Sequence, residues 1–414
     1  MRRKLYAGIF LFAAASAAGF QAFARRAVVH AATVMAPRFE VDPYWPKPLP
    51  NHWVLGQTIG VSADSQDNIW IIHRPGSLEA GEKHAEGDSP LATCCVSAPP
   101  VLEFDQAGNL IRHWGGPGPG YDWPLSNHGI TVDSKNNVWI GSNGRTQASA
   151  RGARNGQDED SGGGAFASFH DTMVLKFTLD GKFLLQIGKP SQSKGSNDPE
   201  NLRLPAKIFV DTKANEVYVA DGYGNHRVIV FDSETGKYKR HWGAYGHKPD
   251  DTDLGPYNPN SPPAQQFRNP VHCAMLAHDN LLYVCDRAND RIQVFKPDGT
   301  FVKEQFYEKQ TRGSGSVWDL AFSADPQQKY LFMTDGENRK IRVLDRDSLE
   351  VLYSFGEGGH QPGEFYGNHS IATDSKGNLY VTETYHGQRV QRFVYKGLAP
   401  VTQKDLSVAW PAGN

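Results

Sequence analysis

The chain has 414 residues, of which 39% are hydrophobic and 42 are glycine, with a formal net charge of -2. This balance excludes general disorder, and with no long basic block after the N-terminus it argues against a nucleic-acid partner. The length suits a single repeat-built all-β unit.

The chain opens on "MRRK", a basic segment, followed by the apolar "LYAGIFLFAAASAAGF" and by "AFA" at 22–24, a small-x-small cleavage site. This is the pattern of an export signal. Residues 1–24 are expected to be removed, leaving a secreted or periplasmic protein with no stable membrane span. A retained anchor is the alternative. Residues 25–37 read as a linker.

Six repeats follow, at 55–115, 123–189, 202–246, 267–307, 316–358 and 365–396. Each holds four short β-rich runs divided by turn residues such as Asp-Gly or Lys-Gly-Asn. Alternating residues give every strand a buried face. A sheet of this size cannot cover both of its faces alone, and stacking six sheets radially covers them. The expected fold is therefore an all-β, six-bladed β-propeller over 38–397, with a tail at 398–414. The sixth repeat lacks a convincing outer strand. "RFEVDP" at 38–43 can supply it and close the ring, because an open edge is a liability.

Three stretches interrupt the repeats: 73–100, the Gly-rich acidic 152–168, and 247–266, whose Asp-rich start fits no EF-hand loop. Four cysteines in an oxidising compartment allow disulfides. Cys273 and Cys285 fall opposite one another if the hairpin turns at 278–280. Cys94 and Cys95 are adjacent, and either bond to each other or cross-link elsewhere.

His128, His272 and His369 each lie eleven residues before an aromatic: Trp139, Tyr283 and Tyr380. They belong to the second, fourth and sixth repeats, and alternate blades of a six-bladed ring stand about 120° apart. The first strand of each blade lines the central channel. Three imidazoles converging at one depth describe a metal site with a fourth position for water or substrate. Imidazole suits several transition metals. The same offset gives Ile59 in the first repeat and Lys207 in the third. Arg74, ending "IIHR", and Tyr223, ending "ADGY", close second strands and gather at the rim beside the channel. His113 and His241, both in "HWG" on outer strands, read as structural.

The stretches "NHRVIVF" and "NDRIQVF" resemble the NHL repeat, whose propellers are commonly six-bladed. "NHGITVD", "YVCDRANDRIQVF", "NHSIATD", "IIHR" and "ADGY" together resemble the peptidyl-α-hydroxyglycine α-amidating lyases. That resemblance implies zinc on His128, His272 and His369, with Arg74, Tyr223 and Arg287 as catalytic residues. It also implies a structural calcium on the carbonyls of Val61 and Ile130 and on an aspartate directly after the third histidine. This chain has Ser370 there, and Gly224 where the family has a cysteine. The implied reaction cleaves the N–Cα bond of a peptidyl-α-hydroxyglycine, or a similar small N-acyl carbinolamide, to an amide and glyoxylate. The competing reading is a non-catalytic exported propeller that binds or scaffolds a partner. A calcium-dependent lactonase-like propeller would hold its ion through Glu, Asn and Asp, where the inner strands here show histidine.

Overall fold

The computed structural model describes residues 33–146 and 168–411. The expected export signal (1–24) and the Gly-rich insertion up to residue 167 lie outside the described residues. Among those described, no helix is long and apolar enough to cross a membrane.

The chain forms a six-bladed β-propeller. From the axis outward, blade one is Gln57–Ala63, Ile69–Arg74, Val101–Phe104 and Leu110–Trp114. Blade two is Asn127–Val132, Asn137–Ser142, Met173–Thr178 and Phe183–Gly188. Blade three is Ile208–Asp211, Glu216–Asp221, Arg227–Asp232 and Tyr238–Trp242. Blade four is Val271–Leu276, Leu282–Asp286, Arg291–Phe295 and Phe301–Phe306. Blade five is Asp319–Phe322, Tyr330–Asp335, Lys340–Asp345 and Val351–Phe355. Blade six is Asn368–Thr373, Leu379–Glu383, Arg389–Pro400 and, outermost, Met35–Asp42. The first strands of successive blades touch in an unbroken circle, from blade one round to blade six and back.

Local chemistry explains the hairpins nearest the axis. In "DSQDNIW", "DSKNNVW" and "DSKGNLY" one aspartate organises the whole turn. Asp133 accepts from the backbone N–H of Lys135 and Asn137, both at 2.9 Å, and from Trp139 Nε1 at 3.0 Å. Asp64 does the same for Gln66, Asn68 and Trp70, and Asp374 for Lys376, Asn378 and the Tyr380 hydroxyl. The fourth residue of each turn has φ between 61° and 85°, and is Asp67, Asn136 or Gly377, the types that tolerate it. The carboxylate therefore sets the turn and locks the buried aromatic of the next strand in one step.

Ring closure comes from the N-terminus. Met35–Asp42 runs antiparallel to Arg389–Pro400. It starts at Met35 rather than Arg38, because its partner continues to Pro400. Phe39 is buried, its ring 5.4 Å from Phe332 and 5.7 Å from Phe355, so this one strand ties blade six to blade five. The segment after residue 400 is not a loose tail, since Asp405–Leu406 pairs in parallel with Val351–Phe355 and covers the outer edge of blade five. Cys273 and Cys285 are register partners and are bonded, and Cys94 is bonded to Cys95.

Replacing Phe39 by alanine empties an aromatic site shared by two blades. The expected cost is about 3–5 kcal/mol of unfolding free energy, read from denaturant titration. A loss below about 1 kcal/mol would mean that the N-terminal strand does not hold the ring together.

Candidate metal centre

His128, His272 and His369 are each the second residue of an innermost strand. In all three the pairing with the neighbouring strand skips the histidine: Val271 pairs with Asp286 and Cys273 with Cys285, and equivalent breaks fall between Asn127 and Ile130 and between Asn368 and Ser370. Such irregularities re-aim a side chain. Here they turn the imidazoles from the sheet into the channel. The ring centroids lie 5.0 Å apart for His128–His272 and His128–His369, and 4.7 Å for His272–His369. One ligating nitrogen from each lies within 4.8 Å of the others, and all three side chains are buried.

The outer nitrogens face backbone carbonyls of the next blade. His272 Nδ1 lies 2.5 Å from the Trp318 carbonyl, and His369 Nδ1 lies 2.7 Å from that of Ile59. The Ala206 carbonyl plays this part beside His128, in a looser geometry that leaves Nδ1 without a full hydrogen bond. A carbonyl can only accept, so at His272 and His369 these contacts place the proton on Nδ1 and leave the Nε2 lone pair for a metal. Burial, first of all, holds His128 and His272 well below the ordinary imidazole pKa, and the neighbouring His369 and Arg287 push the same way. The three side chains are buried and convergent, and can hold a metal ion.

Tyr223 and Arg287 complete the group. Tyr223 Oη lies 3.0 Å from His128 Nε2 and 3.0 Å from His272 Nε2, and it accepts from Arg287 Nη1 at 3.1 Å. Arg287 is buried, with its guanidinium 4.3 Å from the centre of the Trp318 ring and its Nε donating to the Ser314 carbonyl at 2.9 Å. Arg74 stands one step back. It donates to the Asn127 carbonyl at 3.0 Å, to Gln57 Oε1 at 2.7 Å and to Asn143 Oδ1 at 2.8 Å. It thereby braces the residue before His128 and adds positive charge beside that imidazole.

Two residues of this centre escaped the sequence reading. Trp318 gives its carbonyl to His272, its face to Arg287 and its edge to His369, at 5.5 Å. Nothing in its sequence context marks it. Asp319 pairs with Thr334 as Ser370 pairs with Thr382, one position past the histidine register and in a hairpin with a longer turn, so the repeat spacing does not mark it. Val61 pairs with Ile71 in blade one, Ile130 lines the channel, and the Ser370 hydroxyl donates to Asp319 Oδ2 at 2.6 Å.

The NHL repeat family matches residues 202–231, in blade three. A mouse peptidyl-glycine alpha-amidating monooxygenase is 26% identical over 259 residues, covering 60% of this chain and 22% of its own length. The chain carries an NHL repeat and resembles the amidating lyases. Peptidyl-alpha-hydroxyglycine alpha-amidating lyase 1 of Drosophila melanogaster is 24% identical over 380 residues, covering 86% of this chain and 59% of its own length. The mouse NHL repeat-containing protein 3 is 24% identical over 323 residues, covering 76% and 70%. The chain therefore spans less than two thirds of the length of either amidating relative.

Elemental analysis of the purified chain is expected to find about one divalent transition ion per molecule, the stoichiometry of one three-histidine site. His272→Ala is expected to lose it. A full complement of metal in the variant would place the ion elsewhere.

His73 offers a separate pH test. It accepts from the Gly56 N–H through Nδ1 (3.1 Å) and faces the Pro99 carbonyl through Nε2 (3.0 Å), and burial pushes its pKa down to about 4. An unfolded histidine titrates near ~6.5. The folded value is the lower one, so the stability His73 contributes is complete above that pH and is lost as pH falls toward and through 4. Between pH ~7.5 and ~4.5 the loss is about 2.5 kcal/mol. His73→Gln, which keeps a donor and an acceptor, is expected to show a shallower acid limb by that amount in urea unfolding. Superimposable limbs would contradict a buried neutral His73.

Proposed function

We propose that this propeller is an exported lyase that cleaves the N–Cα bond of an N-acyl or peptidyl α-hydroxyglycine, releasing an amide and glyoxylate. One observation carries the reading: the Tyr223 hydroxyl sits at hydrogen-bond distance from two of three convergent imidazoles and from a buried arginine. A base beside a metal-binding nitrogen set, backed by a fixed cation, is what collapse of a carbinolamide requires. Resemblance to the amidating lyases supports the substrate class. The basic and apolar N-terminal segment supports export.

A divalent ion held by His128, His272 and His369, with zinc favoured by the resemblance, would supply Lewis acidity that lowers the pKa of the substrate hydroxyl. Tyr223 stands where it can take that proton. The Arg287 N–H aimed at its oxygen favours the anionic form that a base needs. As the hydroxyl oxygen loses its proton, its electrons form the aldehyde C=O of glyoxylate. The N–Cα bond breaks, and its electron pair stays on the amide nitrogen. Tyr223 returns the proton to that nitrogen, which completes the primary amide and restores the base. The reaction is neutral in protons and needs no oxidant. Arg287 is also placed to fork onto the substrate carboxylate while it holds Tyr223. Arg74 acts through the Asn127 backbone that it braces, and through its charge.

Tyr223→Phe is expected to lower kcat for glyoxylate release from an α-hydroxyglycine substrate by about 10²–10⁴-fold, with metal content unchanged. Unaltered turnover in this variant would remove Tyr223 from the chemistry. No glyoxylate from metal-replete wild-type protein, across peptidyl and small N-acyl substrates, would overturn the lyase reading.

A further inference from the structure

One residue of every blade comes to the axis at a shared level: Ile59, His128, Lys207, His272, Asp319 and His369. These six surround a single small void on the axis, together with Gly129, Ile130 and Ser370. The even blades give the imidazoles. The odd blades give an apolar residue, a cation and an anion, and the two charged residues meet. Lys207 Nζ lies 2.8 Å from Asp319 Oδ1 and 2.6 Å from Oδ2. Both side chains are buried. The carboxylate also accepts from Ser370 Oγ at 2.6 Å, from the Ile371 N–H at 3.0 Å and from the Leu320 N–H at 2.8 Å. The Ile371 carbonyl lies 3.5 Å from the ammonium.

This arrangement does not fit the calcium that the resemblance implies. Calcium takes six to eight oxygens, several of them from carboxylates. The one carboxylate that lines this void among the described residues already accepts five hydrogen bonds. The residue after the third histidine is a serine, and its hydroxyl points at Asp319 as a donor. A divalent ion placed here would also face a buried ammonium, a like charge at close range in a medium that screens little.

We infer that Lys207 is the resident cation of the channel. Its ammonium, chelated by Asp319, joins blades three, five and six across the axis. Ser370 serves that pair instead of coordinating a metal. Among the described residues the channel therefore has one ion site, at the imidazoles, and none for calcium. This inference stands apart from the proposed reaction, and neither readout below uses it.

The test uses the full chain. After equilibration with millimolar calcium and gel filtration, elemental analysis is expected to find no stoichiometric calcium. The thermal midpoint is expected to be the same in calcium-free buffer without chelator and in millimolar calcium, with zinc supplied in both. Stoichiometric calcium, or a midpoint that rises with calcium, would overturn the inference. Lys207→Met leaves a buried carboxylate without its counter-ion, and its midpoint is expected to fall below that of the wild type. Adding Asp319→Asn should recover part of the loss. A Lys207→Met protein as stable as the wild type would also overturn the inference. If Lys207→Met does not fold, the wild-type calcium arms still decide.

Discussion

Two of the three imidazoles are oriented by a backbone carbonyl from the blade that follows, and the aim of the candidate metal centre depends on this relation. His272 in blade four leans on Trp318, His369 in blade six on Ile59 of blade one, and His128 faces Ala206 ahead of blade three. The Nε2 atoms converge only if consecutive blades are correctly seated. The His369–Ile59 contact crosses the seam where blade six meets blade one. Closure of the ring by Met35–Asp42 is therefore a condition of the site as well as of stability. A buried imidazole with no orienting acceptor would lose its tautomer and its aim together.

The axis is a crowded place, and the sequence solves the crowding in two registers. On the axis the even blades supply buried imidazoles. The odd blades supply a self-neutralising pair and an isoleucine. If all six positions were ionisable and uncompensated, the cost of burial would be prohibitive. Pairing Lys207 with Asp319 removes that cost, and the carboxylate is then saturated by Ser370 and two backbone N–H groups. The stability of the core and the chemistry of the channel are thus set by the same six positions.

Much of this was legible in the sequence because a repeat converts spacing into geometry. The aspartate-led turns, the six units and the histidines at a fixed offset all follow from one-dimensional patterns that the fold repeats in space. The closing strand was legible for a different reason, since an unpaired edge in the sixth repeat had to be covered. What spacing could not reveal were contacts between blades. Trp318 serves His272, His369 and Arg287 at once, but those partners come from other blades and leave no mark near residue 318. The resemblance made Arg74 the better catalytic candidate of the two arginines. In the structure Arg287 donates to the Tyr223 hydroxyl, and Arg74 donates to Gln57, Asn127 and Asn143. Asp319 left no mark in the spacing because the longer turn of blade five's first hairpin shifts it one position past the histidine register.

The charge around the centre constrains what can bind there. Three neutral imidazoles contribute no negative charge to an ion they hold. Asp319, the nearest carboxylate on the axis, is cancelled by Lys207. Arg287 and Arg74 add two positive charges, one at the tyrosine and one beside His128. A divalent ion in such a shell is left with a surplus of positive charge in a buried setting, where screening is weak. A carboxylate on the substrate of the proposed reaction can relieve it. An α-hydroxyglycine carries its carboxylate on the same carbon as its hydroxyl, so one small group satisfies the metal side and the arginine side together. A neutral carbinolamide would satisfy only the first. Under the proposed reaction these electrostatics favour substrates that end in a free carboxylate.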